Sequence, residues 1–82
     1  MQWAELYFTP ERTRWVAHEQ WHPQQQGQLQ TDGSYQLRLP YTDHRELIMD
    51  ILKHGAHCEV LGPPSLRQAV AEEVAKMGVK YF

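Results

Sequence analysis

His54, His57 and Cys58 lie close together, and Asp50 precedes His54 by four residues. Imidazole, thiolate and carboxylate groups are the ligands zinc takes, so the cluster raises metal binding first. Structural zinc sites pair their ligands at short regular spacing, whereas this chain has one cysteine and no C-x-x-C. Lys53 and His54 are equally explained as cations at the negative end of a helix dipole. Cys58 suits a small buried position on a strand. No metal and no cofactor are expected. Nucleophilic chemistry at Cys58 with His57 as base meets a geometric objection. Neighbours on a strand point to opposite faces, so the two side chains cannot meet. Ser34 and Ser65 fall at a turn and a helix start, where serine needs no further reason. Glu72 and Glu73 read as a solvated helix face. The chain is expected to be non-catalytic.

A third chemistry is recognition. Trp3 and Tyr7 share one face of a first strand, and Arg38 sits on the matching face of a later one. Aromatics and arginine on an open sheet can stack bases or pack against protein. The formal net charge is −2, and no run of Lys or Arg surrounds these residues. Phosphates would therefore be poorly held. Protein contact is the expectation, with Trp3, Tyr7 and Arg38 as the interaction face. A small effector- or single-stranded nucleic-acid-binding module is the alternative.

The elements that position these groups are legible. At 82 residues the chain has the length of one domain. Hydrophobic residues make up 41% and charged residues 22%, ordinary for a globular domain. The single cysteine excludes an internal disulfide. No window is apolar enough to span a bilayer, and the N-terminus lacks the pattern of a secretion signal. The expected location is cytoplasmic.

"QWAELYF" alternates as a strand, with Ala4, Leu6 and Phe8 on one face. "TPERTRWVAHEQW" opens as a helix, Thr9 capping and Pro10 in the first position. Trp15, His18 and Trp21 fall near one stripe, which places Trp15 and Trp21 in or beside the core. Asp32-Gly33 marks a hairpin turn. The preceding strand is mostly glutamine and reads as a wet edge strand. The following one buries Tyr35, Leu37 and Leu39. "TDHRELIMDILKHG" is a helix capped by Thr42 or Asp43, with Leu47, Ile48, Ile51 and Leu52 as its stripe and Gly55 as its end. "HCEVL" is a strand, with Cys58 and Val60 inward and His57, Glu59 and Leu61 outward. Ser65 and Gln68 suggest a capping box for a last helix, with Leu66, Val70, Val74 and Met77 on one face and Gly78 as terminator.

The order β-α-β-β-α-β-α predicts an α+β fold, a ferredoxin-like βαββαβ antiparallel sheet with an additional C-terminal helix. The predicted core is Ala4, Leu6, Phe8, Tyr35, Leu37, Leu39, Ile48, Ile51, Leu52, Cys58 and Val60. The face opposite would carry Trp3, Tyr7, Gln36, Arg38, His57, Glu59 and Leu61.

"WHPQQQ", "DGSYQLRLPYTDHRELIMDILKHG" and "CEVLGPPSLRQAVAEEVAKM", in this order, resemble the C-terminal extension, the WCX domain, of bacterial WYL-domain transcriptional regulators. The resemblance runs from about Trp3 to about Met77. It implies a ferredoxin-like fold and a part in oligomerisation and regulation, with no catalytic residues. It also implies a C-terminal fragment, or a stand-alone relative, of a larger regulator. The helix-turn-helix and WYL domains of that regulator would be this module's partners, together with a second copy in a homo-dimer. DNA would be reached only through the helix-turn-helix, and the effector is left unnamed.

Overall fold

A computed structural model describes residues 1–82. The elements are β1 (Gln2–Phe8), α1 (Pro10–Val16), β2 (Gln26–Leu29), β3 (Tyr35–Tyr41), α2 (His44–Leu52), β4 (Cys58–Gly62) and α3 (Pro64–Tyr81). A single 3₁₀ turn, Gly55–His57, leads into β4. The strands form one antiparallel sheet in the order β2-β3-β1-β4. β1 and β2 therefore run the same way with β3 between them. β3 and β4 likewise flank β1. The fold is α+β, four antiparallel strands and three helices.

Period-two alternation does what it should. Ala4, Leu6 and Phe8 are fully buried, and Leu37 and Leu39 face them across β3, Ala4 opposite Leu39 and Leu6 opposite Leu37. Tyr35 of β3, with Val16, Leu47, Ile51, Val60 and Leu66 from the helices and β4, completes the core. Only 14 of the 82 residues are buried, so each large apolar side chain carries much of the stability. Ile48 and Cys58 pack against this core from its margin and are only partly buried, as is Leu52. Val16, Leu47 and Leu66 take places in the core that the predicted core leaves out.

Asp32 and Gly33 make the hairpin. Asp32 Oδ1 accepts hydrogen bonds from Ser34 N at 2.9 Å and Ser34 Oγ at 2.6 Å. Gly33 takes φ of 90°, which a side chain would resist. β2 is the wet edge expected of it, exposed along its whole length. Asp43 is the cap of α2: its carboxylate accepts from Arg45 N at 3.0 Å. Hydrogen bonds from Arg45 hold that carboxyl down at about 2. Gly55, at φ 59°, stops the helical run.

Three expectations shift. Helix α1 ends at Val16 instead of running on to Trp21. The chain after it closes on Gln25, whose Oε1 accepts from Trp21 N at 2.6 Å and His22 N at 3.2 Å. Its Nε2 donates to Glu19 O at 2.9 Å. Trp21 is thereby turned onto the core, while Trp15 stays 55% exposed. Second, α3 starts at Pro64, so Ser65 is inside the first turn and Pro63 occupies the cap position without a side-chain bond. Third, α3 continues through Gly78 to Tyr81. A helical glycine costs about 1 kcal/mol relative to alanine, too little to end a helix by itself.

Candidate interaction surface

The helices cover one face of the sheet, and Trp3, Glu5, Tyr7, Gln36, Arg38, Glu59 and Leu61 lie on the other. The register places Glu5 opposite Arg38 and Tyr7 between Gln36 and Glu59. The Arg38 guanidinium lies 5.4 Å from the centroid of the Trp3 ring. Its Nε is 3.7 Å from Glu5 Oε1, and its Nη1 donates to Gln26 Oε1 at 3.4 Å. Trp3 and Arg38 thus meet directly. Tyr7 shares their face about 13 Å along the strand from Trp3, at about 3.3 Å per residue. His57 is not on this face. It precedes β4, and its Nδ1 is 2.8 Å from Thr9 Oγ1 and 3.7 Å from Glu11 Oε2. Thr9 therefore spends its hydroxyl on His57 and leaves α1 without a side-chain cap.

The contacts on this face are weak ones. An exposed cation–π pair contributes about 0.5–1 kcal/mol. The Glu5–Arg38 pair, half exposed on both sides, adds about 0–1 kcal/mol. A partner could replace both at small cost. Trp3 is 36% exposed and Leu61 45%, so apolar area is on offer beside the arginine.

A second exposed surface adjoins the sheet. α3 is anchored by Leu66 in the core and by Arg67, whose Nη1 donates to Val60 O at 2.6 Å and pairs with Glu59 at 3.0 Å. Val70 packs at the core margin. Farther along the same side, Val74, Met77 and Tyr81 are exposed. A third feature escaped the sequence pattern. Arg12 and Arg14 sit 5.8 and 5.4 Å from the ring centroid of exposed Trp15. The adjacent Arg-Trp pair and the Arg-x-x-Trp spacing were the available signal.

The groups first considered for metal chemistry diverge. His54 stacks on Trp21, His57 turns to Thr9, and Cys58 packs against the core. Burial, with help from the Glu59 carboxylate, pushes the Cys58 thiol up to about 12. At neutral pH it is a thiol and a poor nucleophile. In the native protein at pH 7.5, Cys58 should be alkylated more slowly than in urea, because less of it is thiolate. Equal rates in the two conditions would contradict its packing against the core.

A four-stranded antiparallel sheet with helices on one face, and an Arg-covered tryptophan on the other, defines a small α+β open-faced domain. The family model of the WCX domain matches residues 2–78, and the chain belongs to that family. A comparison with curated proteins returned no match. No helix is long and apolar enough to cross a membrane.

Proposed function

We propose that this chain is the non-catalytic regulatory and oligomerisation module of a bacterial transcriptional regulator. It acts in the cytoplasm, coupling effector sensing by a WYL domain to DNA binding by a helix-turn-helix. WCX membership supports that setting, since the family is associated with WYL regulators. We also take the sheet as ferredoxin-like. The support is that β1 and β2 run parallel with β3 between them, each βαβ unit being split by a central strand.

The observation that carries the proposal is the open sheet face, with Trp3 under Arg38 and Tyr7 beyond it. Interface anchors are enriched in tryptophan, tyrosine and arginine. The mechanism is a shift in population between arrangements of the linked domains, biased toward whichever state the effector binds better. The module contributes contacts to a second copy and to the WYL domain, made by the sheet face and the apolar side of α3. Homo-dimerisation follows from a self-complementary use of these surfaces.

The test is sedimentation equilibrium of the 82-residue chain and of the double variant Trp3→Ala, Tyr7→Ala. The parent should self-associate weakly as concentration rises above the 9.7 kDa monomer. The variant should stay monomeric with its fold intact, because neither side chain is in the core. Single-stranded oligonucleotide binding that persists at physiological salt and vanishes in the variant would instead favour the nucleic-acid alternative.

A further inference from the structure

His54 occupies an unusual position for a titratable group. It is 6% exposed, stacked on Trp21 at 5.7 Å and 15° between planes, and met edge-on by Phe8 at 5.3 Å. Its Nε2 and the Glu19 Oε1 are both buried, and neither has a hydrogen-bond partner. They lie 4.0 Å apart, beyond hydrogen-bonding reach. Trp21 and Glu19 belong to the loop between α1 and β2, and His54 to the turn just after α2. The stack ties that loop to the helical layer, beside the edge-on contact of Trp21 with Phe8 at 5.8 Å.

We infer that His54, Trp21 and Glu19 form a proton-operated latch. It holds the Ala17–Gln25 loop against the end of α2 at neutral pH and releases it on acidification. A neutral imidazole packs as an aromatic ring in a three-ring cluster with Trp21 and Phe8. Taking up a proton from solvent would place an imidazolium among aromatic rings, with the Glu19 carboxylate 4.0 Å away and no hydrogen bond made to it. Arg12 from α1 and Lys53 from α2 oppose that charge, while Glu19 and Asp50 favour it without prevailing over burial. Desolvation accordingly holds the His54 pKa below its ordinary 6.5. Above about 6.5 the group is neutral in both states and the latch is pH-independent. Below that, the released loop binds the proton more readily, and the latch weakens until the closed-state pKa is reached. The latch stands whichever partner covers the sheet.

The test follows the His54 ring and the Trp21 and His22 amides of the whole chain by NMR, with amide protection corrected for intrinsic exchange. Between pH 7.5 and 5.5 protection at these amides should fall by up to about tenfold. His54 should titrate below the ordinary histidine value. In His54→Phe, which keeps the ring and removes the proton site, protection should be flat over the same range. His22 lies in the same loop, its Nδ1 accepting from Gln24 N, and is left unchanged by this variant. Should His54→Phe fail to fold, Glu19→Gln serves, and should lower the His54 pKa further. A His54 pKa at or above the ordinary value would mean that Glu19 closes on the charged ring, and would overturn the latch. So would an equal loss of protection in His54→Phe.

Discussion

Shortening Leu37 to alanine should cost the domain about 2–5 kcal/mol. Leu37 is 1% exposed and lies on central strand β3, directly opposite Leu6 of β1. The cavity would open where both central strands meet the helical layer, with neighbours fixed on several sides and little room to collapse. A domain of 82 residues has about 4–12 kcal/mol of stability in total. The loss therefore reaches a large part of the whole. Urea unfolding should show a much lower midpoint with an unchanged slope. A midpoint indistinguishable from the parent's would mean that β3 does not carry the core.

Gly27→Ala should be the next most damaging change, at about 1–3 kcal/mol. Gly27 is on exposed β2, where a methyl group would ordinarily be harmless. Its missing side chain, however, leaves the place taken by the Tyr35 ring. A Cβ there would collide with the Tyr35 hydroxyl and Cζ and come within 3.2 Å of Cε2. The ring is rigid and 8% exposed, so it cannot swing clear without leaving the core. Either Tyr35 is displaced or β2 lifts off the edge, taking Gln26 away from Arg38. Tyr35→Phe removes the oxygen that meets the new methyl first. The added cost of Gly27→Ala should be smaller in that background, as a double-mutant cycle would show. Equal costs in both backgrounds would mean that the hydroxyl adds nothing to the clash.

These two positions differ in how they could be foreseen. Leu37 is readable from strand alternation, which also placed Ala4, Leu6, Phe8, Tyr35, Leu39 and Val60. The turn at Asp32-Gly33 and the cap at Asp43 are short-range signals and hold for the same reason. Gly27 among glutamines carries no such signal, because its reason is a tyrosine on the neighbouring strand. The same non-locality hid His54. As a residue near a helix end it suits the dipole, and only the folded chain brings Phe8 and Trp21 around it. The stripe through Trp15 and Trp21 presumed one continuous helix. Gln25 captures the backbone between them, so Trp21 turns in and Trp15 stays out. Ser65 has the chemistry of a cap, but Pro64 already begins the helix. On the sheet face, alternation is enough to set Trp3, Tyr7 and Arg38 on one side, whereas His57 falls in the 3₁₀ turn one residue before β4 begins.

The most direct measurement of the central proposal is the concentration dependence of the amide chemical shifts of the whole chain. If the open sheet and the free side of α3 are protein-binding surfaces, dilution should move the signals of Trp3, Tyr7, Arg38, Leu61, Val74 and Met77. Signals of the Arg12–Arg14 segment should stay fixed. Shifts that ignore concentration, yet move at Trp3, Tyr7 and Arg38 when a single-stranded oligonucleotide is added at physiological salt, would contradict the account.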